Sequence, residues 1–199
     1  RSAREDKRIR AAQEPFRAGA GSDFEVLIRA WQFARSRRYN INDCRAHGIH
    51  AGACREAEAT FRQLLNLAKR HGMATDENTE PDRSKTTSLR LCILSAFADQ
   101  ICVRRDKGTL HCKLPHGQSG TLVRESVVQQ SPLLAVAEIR QVSTSGNRAQ
   151  TLLSLASAIE LDWVQEMFPE ELTTRPECEF DPAPKRVESF QITRFRDLE

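Results

Sequence analysis

The stretch QICVRRDKGTLHCKL, residues 100–114, marks the point at which the sequence pattern changes from helical to extended. Two short apolar runs flank the turn residues DKG, an arrangement typical of a β-hairpin. Three further strand-length runs, separated by Gly and Pro, follow at 121–128, 133–143 and 149–159. A short amphipathic helix is predicted at 161–172, and a last pair of strands around a proline-containing turn at 178–195.

About five strands that curl into one sheet, with a single short helix, are the composition of a small β-barrel of the oligonucleotide-binding (OB) kind. Periodicity alone does not separate such a barrel from an SH3-like one. The segment from 99 to 199 is therefore predicted to be an OB-like β-barrel domain with additional C-terminal strands.

The chain before this barrel reads as helical. Ser22 can cap a helix and Glu25, three residues later, can complete a capping box. Apolar side chains then fall on one face of that helix, which is expected to be core: Phe24, Leu27, Ile28, Trp31 and Ala34. A second helix is predicted from about 51 or 53 to 70, with Gly72 at its C-terminal cap. Its expected apolar stripe is Cys54, Ala57, Phe61, Leu64, Leu65 and Ala68.

The whole is predicted to be an α+β chain with an N-terminal helical domain and a C-terminal barrel. Residues 1–21 form a basic lead-in helix or linker, and 22–98 form the helical domain. That domain includes a polar linker at 73–87 and a short apolar helix at 88–98. With 199 residues, 39% hydrophobic content and 6% aromatics, two modest domains fit the composition better than one large domain.

The charge is unevenly distributed along the chain. The formal net charge is +5 over residues 1–88, +4 over 89–150 and −6 over 151–199. A basic surface of this kind fits a nucleic-acid binder of modest affinity, but without a motif an ordinary solvated surface is the favoured explanation. The sequence offers no membrane-length apolar run and no signal peptide, and its six cysteines lack any C-x-x-C spacing, so we expect a soluble cytoplasmic protein. Because the chain begins at Arg1 rather than at a methionine, we expect a fragment of a longer protein.

Catalytic motifs are not found. The sequence contains no G-x-x-x-x-G-K-[ST] phosphate loop, no G-x-S-x-G nucleophile elbow and no H-E-x-x-H zinc helix. The carboxylates Glu166, Glu170 and Glu171 flank an amphipathic helix without a recognisable partner base, which favours a solvated face over an acid/base pair. No catalytic residue, metal ligand or cofactor is predicted for this chain.

The segment CRAHGIHAGAC, residues 44–54, is the one place where metal ligands cluster in the sequence. Its spacing C-x2-H-x2-H-x3-C contains acceptable zinc ligands, but all four lie in one continuous stretch rather than in two separated knuckles. We therefore interpret it as the joint between two helices, with Cys44 and Cys54 in the core and at least one histidine exposed. A zinc-binding regulator built on this segment is the weaker alternative.

Several segments, taken together and in order, resemble one family. SDFEVLIRAWQFARSRRY (22–39) and CRAHGIHAGACREAEATFRQLL (44–65) resemble the ratchet, or helicase-associated, domain of DEAH-box helicases. FADQI (97–101) stands where this family commonly has Phe-Pro-Asp-Arg-Ile at the entry to its OB-fold, with Ala98 in place of the proline. PLLAVAEIRQVS (132–143) and IELDWVQEMFPEEL (159–172) are similar to the bacterial HrpB-type members.

The resemblance implies the C-terminal, nucleic-acid-handling part of an ATP-dependent helicase. The family binds and hydrolyses ATP, with Mg²⁺, in two motor domains that precede the ratchet domain. The ratchet and OB domains form one wall of the single-strand channel, so the implied partners are single-stranded nucleic acid, chiefly RNA, and the motor domains, and no membrane. The contact residues expected from this resemblance are Arg35, Arg37, Arg38, Arg55, Arg104, Arg105, Lys107 and Lys113.

A protein–protein docking module without intrinsic nucleic-acid binding is the alternative. Its docking surface would be the acidic C-terminal part, including Trp163, Met167 and Phe168. The two functions differ in their salt dependence, because counterion release makes phosphate binding fall steeply with salt whereas apolar docking does not.

Overall fold

The computed structural model describes residues 3–75, 83–144, 148–181 and 186–198. The chain contains both helices and sheets and divides into two compact units, residues 1–86 and 87–199. The sequence-based boundary at 98 therefore lies later than the division in the structure. Among the described residues, no helix is long and apolar enough to cross a membrane.

The first unit is helical. It contains α1 (Ala3–Arg17), α2 (Asp23–Ser36), α3 (Ile41–Ala46) and α4 (Ala51–Arg70), followed by the start of α5 (Arg83–Ala96). Helices α1, α2 and α4 are predicted by the sequence. Helix α3 is not, because six residues are too few to show a helical period. Helix α5 begins inside the predicted linker, of which residues 76–82 lie outside the described part.

Ser22 caps the start of α2 as predicted, and the predicted partner Glu25 bonds the residue before the cap. The hydroxyl of Ser22 accepts a hydrogen bond from the N–H of Phe24, 3.1 Å away. The carboxylate of Glu25 accepts the N–H of Gly21 at 3.2 Å and lies 3.6 Å from the guanidinium of Arg29. The bond to Ser22 satisfies a donor that the helix itself leaves unpaired, and the bond to Glu25 fixes the turn that precedes α2.

The apolar stripes of α2 and α4 are only partly buried, which corrects the prediction that they form core. Ala34 is fully buried, and Trp31 meets Phe61 edge-on with ring centroids 5.4 Å apart. Four predicted stripe residues are instead exposed: Leu27 (53%), Ile28, Ala57 and Leu64 (61%). The stripe identifies which side of each helix is apolar. No described element of this unit covers the four exposed residues of that side.

The second unit contains a closed barrel of five strands. These are β1 (Ile101–Arg104), β2 (His111–Lys113), β3 (Ser119–Leu122), β4 (Leu133–Thr144) and β5 (Arg148–Ala158), in the order β1-β2-β3-β5-β4. Strands β3 and β5 are parallel, every other pair is antiparallel, and β4 returns to pair with β1. The predicted hairpin at 100–114 is β1–β2.

Inward-facing side chains fill this barrel. The fully or almost fully buried members are Cys102, Cys112, Leu122, Leu134, Val136, Leu153 and Ala156. A hydrogen bond to Cys112 and burial raise the pKa of the Cys102 thiol well above its ordinary value. The Cys102 thiol therefore acts as a small apolar group of the core.

The strand predicted at 121–128 is wrong beyond Leu122. The last ladder bond of β3 runs from the N–H of Val123 to the carbonyl of Leu153, and the chain then turns through an irregular segment as far as residue 132. Two carbonyls of that segment, those of Val128 and Ser131, accept hydrogen bonds from the side chain of Arg104. In this segment the side chain of Arg104, rather than a neighbouring strand, bonds the backbone carbonyls.

The remaining elements follow the barrel. Helix α6 (Leu161–Met167) is shorter than predicted, because Pro169 stops it and opens a 3₁₀ turn, Pro169–Glu171. Strands β6 (Leu172–Asp181) and β7 (Arg186–Phe195) form the predicted last pair as a separate two-stranded sheet. Their connecting turn, 182–185, lies outside the described residues.

Candidate nucleic-acid interface

The loop between β1 and β2 presents two of the predicted contact residues. Arg105 and Lys107 are exposed, and Gly108 adopts a left-handed conformation with φ of 83°. The N–H of Arg105 donates to the carbonyl of His111 at 3.0 Å, and the N–H of Thr109 donates to that of Asp106 at 3.2 Å. The loop is therefore a hydrogen-bonded turn that holds two cationic side chains in solvent.

Arg104 does not point into solvent with them. Its residue is only 7% exposed, and its guanidinium donates to the carbonyls of Ser131 and Val128 at 2.9 Å each, and to that of Thr109. Because each nitrogen of this guanidinium already donates to a carbonyl and the side chain is buried, it is not presented to a phosphate in solvent. The expectation that Arg104 contacts nucleic acid is corrected on this ground, and the residue belongs to the inside of the barrel unit.

The outer face of the sheet adds residues next to this loop. Lys113 is exposed on β2 and is paired with Ser119 on β3. His111, the preceding outward residue of β2, is paired with Thr121, whose hydroxyl lies 3.3 Å from the imidazole Nδ1. Hydroxyl, imidazole and ammonium groups therefore line one side of the β2–β3 pair.

The register extends this face across the barrel. Thr121 is paired with Leu152 on β5, and Leu152 is paired with Arg140 on β4, so one row crosses four neighbouring strands. Arg140 is exposed and lies 3.4 Å from Glu138. Sequence reasoning missed His111 and Arg140 as candidate contacts. The alternation of β2 could have identified His111 as outward-facing, whereas the position of Arg140 depends on the β3–β5 pairing.

The four predicted arginines of the first unit lie around the end of α2 and on α4. The guanidinium of Arg35 lies over the Trp31 ring at 5.6 Å and 3.6 Å from a Glu58 oxygen. That of Arg37 lies over the Phe33 ring at 5.5 Å. Arg55 donates to a backbone carbonyl, that of Tyr39, at 3.1 Å. These three side chains therefore serve the packing of the unit at the same time as they face solvent.

Arg38 differs from its neighbours. It has a left-handed backbone, with φ of 50°, and is exposed. Within the part of the chain that the structure describes, its side chain makes no hydrogen bond or ion pair. Arg55 also lines an open cavity of about 560 Å³ together with Arg45 and His50, so Arg45 is a further cation that sequence reasoning passed over.

The segment 44–54 is a helix joint in the structure. Cys44 is fully buried in α3, and burial raises the pKa of its thiol. His47 packs against Phe33, with ring centroids 4.3 Å apart, while the Nδ1 of His50 accepts the N–H of Ala53 and caps α4. Each side chain has a packing or capping role. Over residues 3–75, 83–144, 148–181 and 186–198, no group of three or more possible ligands is gathered around a common point.

The acidic residues near α6 are not gathered into a catalytic pair. Glu166 and Glu170 are exposed, and Glu171 is bonded to the guanidinium of Arg196. That pair joins the 3₁₀ turn to the end of β7, where the N–H of Arg196 also donates to the Glu171 carbonyl at 2.9 Å. Its role is to fix the C-terminal strand.

Comparison with known proteins gives weak structural likeness. No family model matches the sequence, and no curated protein matches it. The structure of the Escherichia coli DExH-box NTPase HrpB is 18% identical, with a TM-score of 0.46, over 99% of this chain and 23% of that chain. A structure described as the Escherichia coli DEAH/RHA helicase HrpB gives 16% identity, a TM-score of 0.41, and 99% and 24% coverage. The chain spans about a quarter of the length of these proteins.

Proposed function

We propose that this chain is the nucleic-acid-handling part of an ATP-dependent helicase and that its barrel holds single-stranded RNA. The observation that carries the proposal is the strand order β1-β2-β3-β5-β4 with β3 and β5 parallel, combined with cations on one face. That order fits an OB-fold, whose β2–β3 face and β1–β2 loop bind oligonucleotides. The sequence resemblance to the HrpB-type DEAH-box family supports the helicase assignment.

The proposed barrel interface consists of cationic and hydrogen-bonding side chains. They are Arg105 and Lys107 on the β1–β2 loop, His111 and Lys113 on β2, and Arg140 on β4. Arginine and lysine bind the phosphate oxygens of a nucleic acid whatever its base sequence. This suits a protein along which an RNA strand must slide. The arginines Arg35, Arg37, Arg38 and Arg55 are proposed as a second contact surface, on the helical unit.

This chain is proposed to act on RNA without catalysing a reaction itself. ATP, Mg²⁺ and the hydrolytic residues would belong to motor domains elsewhere in the full-length protein, which are therefore proposed partners. We place the protein in the cytoplasm as part of the same proposal.

Single substitutions test the proposed face. Lys113→Ala and Lys107→Ala are each expected to weaken binding of a fluorescent 20-nucleotide RNA about 3-fold to 10-fold at low salt. The reason is that each removes one phosphate contact, which contributes about 1 kcal/mol. Arg175→Ala removes an exposed cation of the separate β6–β7 sheet and is expected to leave the affinity unchanged. Equal losses for all three variants would show that only the net charge matters and would refute the assigned face.

A docking function is the second candidate, and one observation favours it. Leu27, Ile28, Leu64 and Leu67 are exposed on α2 and α4. The residues first expected to dock are less available, because Trp163 lies under the guanidinium of Arg90 at 4.8 Å and Phe168 packs on Phe195 at 5.9 Å. If docking is the function, it would involve the helical unit, and the chain would show no salt-dependent affinity for RNA.

A further inference from the structure

We infer that Arg104 is a positioning residue of the proposed interface, which holds the β1–β2 loop so that Arg105 and Lys107 face the strand. The inference rests on the proposed function. It reassigns Arg104 from contacting nucleic acid to placing the two neighbouring cations.

The hydrogen bonds of Arg104 connect two segments that are distant in sequence. One nitrogen of the guanidinium donates to Thr109, inside the loop, while the other two donate to Val128 and Ser131 in the irregular segment between β3 and β4. The backbone N–H of Arg104 donates to Pro132 of the same segment at 2.7 Å. The loop is therefore fastened to a second part of the barrel unit through one side chain.

This arrangement requires an arginine. The planar guanidinium carries five N–H donors on three nitrogens in one plane, and each nitrogen reaches a different carbonyl. A lysine carries its donors on a single nitrogen and cannot reach three separate carbonyls in that geometry. Substitution by lysine keeps the charge but releases at least one of the carbonyls, and the loop is expected to loosen.

The loop has little else to fix it. Within the described residues, its other bonds are the short turn between Asp106 and Thr109, the bond from Arg105 to His111 and the ion pair of Arg105 with Asp106 at 3.6 Å. At the end of the loop, the carbonyl of Leu110 accepts the N–H of Leu122 at 2.8 Å. A side chain added at Gly108 would meet nothing within 4 Å, so the tip has no packing support. Leu110 packs on the barrel core, and the bond from Arg104 to Thr109 is the contact that also ties the loop to the segment between β3 and β4.

The test combines RNA binding with hydrogen exchange. Arg104→Lys is expected to make the slope of log affinity against log salt shallower by about 1.4. This is the effect of two lost phosphate contacts at about 0.7 each. In that variant, the further substitutions Arg105→Ala and Lys107→Ala are expected to change the affinity less than 2-fold. Lys113→Ala is expected to keep its full effect. Exchange of the amides of 105–110 is expected to be at least about 10-fold faster, with β4 and β5 unchanged.

A second variant covers the case in which Arg104→Lys does not fold. Two glycines inserted after Gly108 loosen the loop and leave Arg104 in place, and they are expected to reproduce the same loss of salt dependence.

Three outcomes would overturn the inference. The first is an unchanged contribution of Arg105 and Lys107 in the Arg104→Lys background. The second is an equal loss of the Lys113 contribution, which would indicate a general effect on stability. The third is unchanged exchange at 105–110. If the unmodified chain binds no RNA at any salt concentration, the proposed function fails, while the exchange measurement still decides whether Arg104 holds the loop.

Discussion

Substitution of all four cations of the barrel face, Arg105, Lys107, Lys113 and Arg140, by alanine is expected to lower RNA affinity by on the order of 100-fold to 1,000-fold at low salt. Each exposed contact is taken to contribute about 1 kcal/mol, below the range for buried hydrogen bonds to charged groups. Four such contacts sum to about 4 kcal/mol, and incomplete additivity between neighbours lowers the total.

A matched variant controls for net charge. Substitution of Lys7, Arg8, Arg10 and Arg175 by alanine also removes four positive charges, all exposed and none on the barrel strands. Because long-range attraction to RNA depends on the whole charge distribution, a modest loss of up to about 5-fold is expected for it. If both variants lose affinity equally in an anisotropy titration, the barrel face is not the binding surface.

Substitutions where Gly120 meets Leu153 are expected to lower the stability of the barrel. Leu153 is fully buried, and a methyl group added at Gly120 would lie 2.8 Å from its Cγ and Cδ2 atoms. Leu153→Ala is expected to lower the free energy of unfolding by about 2–5 kcal/mol because it leaves a cavity. Gly120→Ala is expected to cost about 1–3 kcal/mol because it crowds the same place.

The two substitutions are expected to compensate each other in part. The added methyl group of Gly120→Ala occupies space that Leu153→Ala leaves empty, so the double variant should lose less than the sum of the single losses. Urea unfolding followed by the fluorescence of Trp163, in a Trp31→Phe background, reports on the barrel unit. Strictly additive losses would contradict the contact between Gly120 and Leu153.

The sequence predicts the elements better than their exposure. The cap at Ser22, helix α4 and the β1–β2 hairpin follow from local patterns and are present. The amphipathic stripes predict an apolar side for α2 and α4, but whether that side is covered depends on tertiary contacts that no local pattern encodes. Leu64 is apolar and in phase with its stripe, and it is exposed.

Arg104 shows how a local signal can be read incorrectly. It lies two residues after Cys102 on β1, so the alternation of a strand assigns both side chains to the same, inward face. Its charge and its place beside the turn suggested a solvent contact instead. The three backbone carbonyls that make its burial favourable come from residues 5 to 27 positions later. No local sequence pattern predicts these contacts.

The position of Arg140 cannot be predicted from local sequence at all. It joins the candidate face only because β3 pairs with β5 in parallel and β5 pairs with β4, which brings Thr121, Leu152 and Arg140 into one row. A parallel register between strands separated by a long connection is set by tertiary packing. The loop cations could be predicted from the sequence, whereas the row across the sheet could not.

If this chain binds single-stranded RNA through its phosphates, the affinity falls with salt because counterions are released. Anisotropy of a labelled single-stranded RNA should be measured at several salt concentrations from about 50 to 200 mM. The four cations of the barrel face, at about 0.7 each, predict a slope of log affinity against log salt of at least about −2.8, and contacts to the helical unit would make it steeper. A slope near zero, or no binding at the lowest salt concentration, would contradict the account.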